Sequence, residues 1–149
     1  MRKKKVTYCC LLLWASFFTT VTAQNTNTPM MGWSSWNTFR VHINEKLIQE
    51  TADAMVTRGL KDAGYKYVNI DDGYFGGRDS NGYLFTNKKK FPNGMKALAD
   101  YIHSKGLKAG IYSDAGSNTC GSIYDADTLG VGVGLWQHDD IDCKTFFQD

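Results

Sequence analysis

The feature that most constrains this chain is a repeat. A helix end, Gly59-Leu60-Lys61, a short strand-like run and Asp71 are echoed by a second helix end, Gly106-Leu107-Lys108, a second run and Asp114. Strand ends near Trp36, Asp71 and Asp114 fall about 35 to 43 residues apart, the interval of βα units that carry long loops after their strands. Alternating β and α predicts an α/β fold with a parallel sheet, whose chemistry collects at the carboxyl ends of the strands. With 149 residues the chain is too short for an intact (β/α)8 barrel, which needs roughly 200 or more. A small doubly wound domain would show about five strands, and only three can be found. The expectation is an incomplete piece, with one apolar sheet face and both sheet edges uncovered.

Periodicity places the elements. Asn44 opens a helix whose Leu47, Ile48, Thr51, Ala52, Met55 and Val56 share one stripe; Glu45 suits its N-terminal dipole and Arg58-Gly59 its end. Tyr65 to Ile70 reads as a strand stopped by Asp71-Asp72-Gly73. The polar stretch from Gly76 to Lys90 reads as a loop bending at Arg78-Asp79-Ser80-Asn81-Gly82, with Lys88-Lys89-Lys90 solvated. A helix starting near Asn93 carries Met95, Leu98, Ala99 and Ile102 and ends at Gly106; Leu107 to Tyr112 follows as a strand. Ala115 to His138 is glycine-rich without helical spacing, and Asp140 to Phe147 reads as a third helix, with Asp139, Asp140 and Asp142 suiting its N-terminus rather than a metal.

Composition narrows the function classes. The hydrophobic content of 42% and charged content of 21% exclude a disordered or collagen-like chain. Four basic residues crowd positions 2 to 5, ahead of the apolar run Cys9 to Phe18 and the small closing residues Val21-Thr22-Ala23, which is the pattern of a secretory signal peptide over 1–23. Residues 24–29 read as a polar spacer and 30–149 as the βα units. Cleavage after Ala23 leaves 126 residues with net charge −2, so no basic nucleic-acid footprint remains, and no membrane contact is expected after cleavage. The expected location is secreted or periplasmic. Of four cysteines only Cys120 and Cys143 stay with the exported part, without metal-ligand spacing.

Asp71-Asp72 is the sharpest chemical feature. Successive strand residues face opposite ways, so two acids serve one site only where the strand breaks, and Gly73 supplies the break. Such carboxylates could accept from sugar hydroxyls, ligate a divalent cation or act as acid and base; alternatively one caps the loop beside a solvated partner. In Gly32-Trp33-Ser34-Ser35-Trp36 one indole is expected in the core and one against a sugar ring. Tyr112 is a core tyrosine or a pocket wall, and Asp114 a turn cap. Gly130-Val131-Gly132-Val133-Gly134 does not follow a strand and lacks the Gly-Lys-Ser/Thr of a phosphate loop.

Taken together, Met31-Gly32-Trp33-Ser34-Ser35-Trp36-Asn37, Gly59 to Tyr65 leading into Val68-Asn69-Ile70-Asp71-Asp72-Gly73, Lys90-Phe91-Pro92-Asn93-Gly94-Met95-Lys96, and Gly110 to Gly116 with Thr119-Cys120 strongly resemble the α-galactosidase (melibiase) family, glycoside hydrolase family 27. The resemblance runs from about Pro29 to the last residue. It implies the first three βα units of a TIM barrel from a secreted retaining glycosidase without a metal or cofactor, acting on α-galactoside oligosaccharides or polysaccharides. It also implies that Trp36, Asp71, Asp72 and Tyr112 line the galactose pocket. The family's nucleophile lies in a Lys-x-Asp motif ending the fourth strand and its acid/base aspartate further on, so both are expected beyond Asp149 and the piece alone is expected to be inactive. The family partner of the disulfide candidate Cys120 lies just past the nucleophile; Cys143 matches no family cysteine, and Gly73 stands where many members carry one. Related expectations are α-N-acetylgalactosaminidase or β-L-arabinopyranosidase specificity on the same scaffold, or a catalytically inactive sugar-binding fragment.

Overall fold

A computed structural model describes residues 29–147; the expected signal peptide and nearly all of the expected spacer lie outside the described residues. The elements are β1 (Gly32–Ser34), α1 (Trp36–Phe39), α2 (Glu45–Thr57), β2 (Tyr67–Ile70), β3 (Phe75–Arg78), β4 (Leu84–Thr86), α3 (Gly94–Ser104), β5 (Lys108–Ile111), α4 (Cys120–Tyr124), a 3-10 turn (Thr128–Gly130) and α5 (Asp139–Phe147).

β1, β2 and β5 form a parallel sheet in the order β1-β2-β5, with Ser34 opposite Asn69 and Ile70 opposite Ile111. Register puts Trp33, Val68, Ile70, Ala109 and Ile111 on one face. The core gathers there: Ile48, Ala52 and Met55 of α2 and Leu98 and Ile102 of α3 are buried with Val68, Ile70 and Phe91. Asn44 caps α2 by accepting from the Leu47 N–H at 2.9 Å, and Gly59 follows its end at φ +77. Glu45 does more than suit a dipole. It is buried, and accepts from the Asn93 backbone at 3.2 Å and side chain at 2.8 Å, tying the starts of α2 and α3 together.

Several expectations are corrected. The first strand ends at Ser34, and Trp36 opens a short helix instead. The uncovered sheet face is not apolar: it carries Gly32, Ser34, Tyr67, Asn69, Lys108 and Gly110. Gly76 to Lys90 is not simply a loop, since β3 and β4 pair as an antiparallel hairpin around the expected bend. Lys90 is not solvated; its ammonium donates to the carbonyls of Val41 and Gly73, both at 2.8 Å. The glycine-rich stretch contains α4 and the 3-10 turn. Asp139, Asp140 and Asp142 do lie in the first turn of α5, but Asp142 is not a solvated end residue. It is fully buried and paired with Arg78 through two contacts of 2.6 and 2.7 Å.

Candidate functional site

The carboxyl ends of β1, β2 and β5 bring the expected residues together. Ser34 Oγ donates to Asp71 Oδ2 at 3.1 Å, and the Asp71 N–H donates to Ser35 Oγ at 3.0 Å, lacing the end of β1 to that of β2 immediately before Trp36. The parallel register, which pairs Ile70 with Ile111, then sets Asp71 beside Tyr112. Trp36, Asp71, Asp72 and Tyr112 thus share one end of the sheet.

The two carboxylates are buried, at 7% exposure for Asp71 and 4% for Asp72. The strand breaks at Gly73, which sits at φ +95, and a side chain there would place a Cβ 2.6 Å from Val41 Cα. Asp72 Oδ1 accepts from the Gly73 N–H at 2.6 Å and Oδ2 from the Gly121 N–H at 2.5 Å, while Asp71 Oδ1 accepts from the Asp72 N–H at 2.8 Å. Loop capping is therefore real for Asp72, but its neighbour is buried rather than solvated. A carboxylate offers about four lone-pair sites, so each acid keeps acceptor capacity beyond these bonds. No group of three or more metal-ligating side chains occurs among the described residues.

Trp33 packs against the core, tilted against Phe39 at 6.2 Å; both it and Trp36 are partly buried. Tyr112 is half exposed; desolvation first, and then the neighbouring Asp71 carboxylate, raise its hydroxyl pKa above the usual tyrosine value. Tyr74, buried and donating to the Tyr112 carbonyl at 2.9 Å, is raised as well, by burial and then by the Asp72 charge. Both phenols stay protonated donors at neutral pH.

Asp114 caps its turn, accepting from the Cys120 N–H at 3.3 Å and Sγ at 3.5 Å. Desolvation and then Asp114 push the Cys120 thiol up, which makes it a poor nucleophile. Cys120 and Cys143 are both free and exposed. A cleft of about 450 Å³ between β5 and α5, lined by Ile111, Leu135, Cys143 and Phe146 among others, reaches the site only through Tyr112 and Ser113 and holds neither Asp71 nor Asp72. Sequence reasoning missed the Gly121 N–H, since nothing local marks a donor 49 residues from its acceptor.

The chain matches the family model described as Alpha galactosidase A over residues 28–148. It is 63% identical over 97 residues to alpha-galactosidase A of Cellvibrio japonicus, covering 65% of this chain and 24% of that protein. To the alpha-galactosidase of Coffea arabica it is 55% identical over 120 residues, covering 80% and 30% respectively. The structure superposes on an α-galactosidase from Saccharomyces cerevisiae solved with raffinose at a TM-score of 0.72 and 41% identity, covering 81% of this chain and 25% of that one. The chain spans 24% to 30% of the length of these relatives. Its three parallel strands and their helices are part of a TIM barrel, without closure. On these grounds the chain belongs to the alpha galactosidase A family.

Proposed function

We propose that the chain is the sugar-recognition part of an exported enzyme that removes terminal, non-reducing α-D-galactose by a retaining double displacement. The observation that carries this reading is the convergence of two buried, backbone-anchored carboxylates with Trp36 and Tyr112 at one end of the parallel sheet. A carboxylate built to accept from a ring hydroxyl is left unpaired by an epimer that moves that hydroxyl, and this supports discrimination among sugars. The indole offers a flat apolar face to the C–H side of a ring. The chain's own groups then bind and orient the sugar. Bond breaking is left to the nucleophile and acid/base carboxyls that the family resemblance implies at and after the fourth strand, while Asp71 and Asp72 offer their remaining acceptor capacity to the sugar. Export rests on the N-terminal sequence pattern.

The full chain alone is expected to cleave no nitrophenyl α-galactoside. Galactose titrated into it shifts the Trp36 indole N–H resonance, while glucose does so far less. Asp72→Asn removes the charge and turns an amide N–H toward the Gly73 or Gly121 N–H, so it is read beside a thermal melt; with the fold retained it weakens the galactose response about tenfold or more, as expected for loss of a hydrogen bond to a charged group. Turnover by the chain alone, or an unaltered response in Asp72→Asn, refutes the assignment.

A further inference from the structure

Arg40 has no place in the reading above, yet its geometry is unusual. It ends α1 at φ +50, a conformation that a residue with a side chain adopts only when its surroundings hold it there. Its guanidinium lies over the Trp36 ring, 4.9 Å from the centroid, and its Nε donates to both Asp125 oxygens at 2.7 and 3.0 Å. Asp125 ends α4, and its N–H donates to the Gly121 carbonyl at 3.0 Å. The Gly121 N–H in turn donates to Asp72 Oδ2. A side chain at Gly121 would bring its Cβ within 2.7 Å of that same oxygen, so the approach is close. The contacts form one chain: Trp36, Arg40, Asp125, Gly121, Asp72.

We propose that Arg40 is a positioning residue for sugar binding: stacked on one face of Trp36 and held by Asp125, it fixes the indole relative to the Asp72 carboxylate. The inference rests on the sugar-recognition reading and deepens it. Stacking covers one face of the indole and leaves the other for the ring. Arg40 is 44% exposed on its side chain, so its ion pair with Asp125 contributes little to stability; its value is directional. Planarity matters too, since a lysine would keep the charge and lose the stack.

This separates positioning from structure. Arg40→Gly removes the clamp and also relieves the positive φ, so the thermal midpoint of the full chain should hold or rise while galactose affinity falls. The expected loss is about two- to fivefold, a cation–ring attraction at an exposed site read as affinity. The Trp36 indole resonance should move even without sugar. Asp125→Asn should lose affinity to a similar degree, and the double variant should be no weaker than either alone, because both act through one path. Additive losses, or wild-type galactose affinity in Arg40→Gly, overturn the positioning role. A galactose response of the Trp36 resonance that Asp72→Ala abolishes and Arg40→Gly leaves intact overturns it alone; a wild-type chain indifferent to galactose overturns both this role and the sugar-recognition reading.

Discussion

The sheet with α2 and α3 and the segment from Ser113 to His138 are built on opposite principles. In the first, buried Ile48, Ala52, Met55, Val68, Leu98 and Ile102 exclude water from one continuous core. In the second, exposed Ile123, Tyr124, Val131 and Trp136 leave little to bury, and polar bonds hold the backbone instead. Arg78 is the clearest of these. Its guanidinium reaches from the hairpin to the carbonyls of Gly82, Gly132, Val133 and Gly134 and to the buried Asp142 of α5. The glycine run that superficially resembles a phosphate loop is thus an acceptor surface for an arginine. One region owes its shape to periodic apolar area and the other to a few directional contacts, so they should fail differently.

The largest expected effect tests the second region. Arg78→Ala leaves Asp142 buried without its partner and should cost about 3–5 kcal/mol in urea titrations of the full chain. Pairing it with Asp142→Leu should recover a good part of that, since no lone charge remains buried. If the single and double variants are equally unstable, the ion pair is not what holds this segment to the hairpin.

The same contrast explains what the sequence made legible. Helix stripes, the Asn44 cap and the strand stop at Asp71 follow from local rules of spacing and chain termination, so they are legible without coordinates. Parallel strands place polar and aromatic residues at one end of the sheet, but only the family resemblance singles out Trp36, Asp71, Asp72 and Tyr112 among them. Arg78, Asp142, Lys90 and Arg40 could not be read this way. Each looks like an ordinary surface charge, and the meaning of each depends on a partner 49 to 85 residues away. The β3–β4 hairpin was hidden for a related reason: β3 is Phe75-Gly76-Gly77-Arg78, with glycines where β-branched residues usually mark a strand.

A core truncation tests the first region. Leu98→Ala removes a fully buried side chain between α3 and the sheet and should cost about 2–5 kcal/mol, depending on how far the cavity collapses. It should lower the urea midpoint of the whole chain and, unlike Arg78→Ala, should not be rescued by any change at Asp142. A loss below about 1 kcal/mol would mean that α3 does not share the core with β2.

The smallest effect compares the regions with one kind of bond in both. Asn44 Oδ1 accepts from the Leu47 N–H at 2.9 Å at the start of α2, and Asp127 Oδ1 accepts from the Leu129 N–H at 3.0 Å at the start of the 3-10 turn. The bonds are alike and exposed; their surroundings are not. Asn44→Ala should destabilise the whole fold by about 1 kcal/mol, because α2 is part of the cooperative core and its fraying opens Ile48 and Ala52 to water. Asp127→Ala should leave the urea midpoint nearly unchanged and instead speed amide exchange locally, at Leu129 and Gly130, since that turn buries no large apolar side chain. Equal global losses from the two variants would show that the polar segment unfolds with the core as one unit, and would remove the distinction drawn between them.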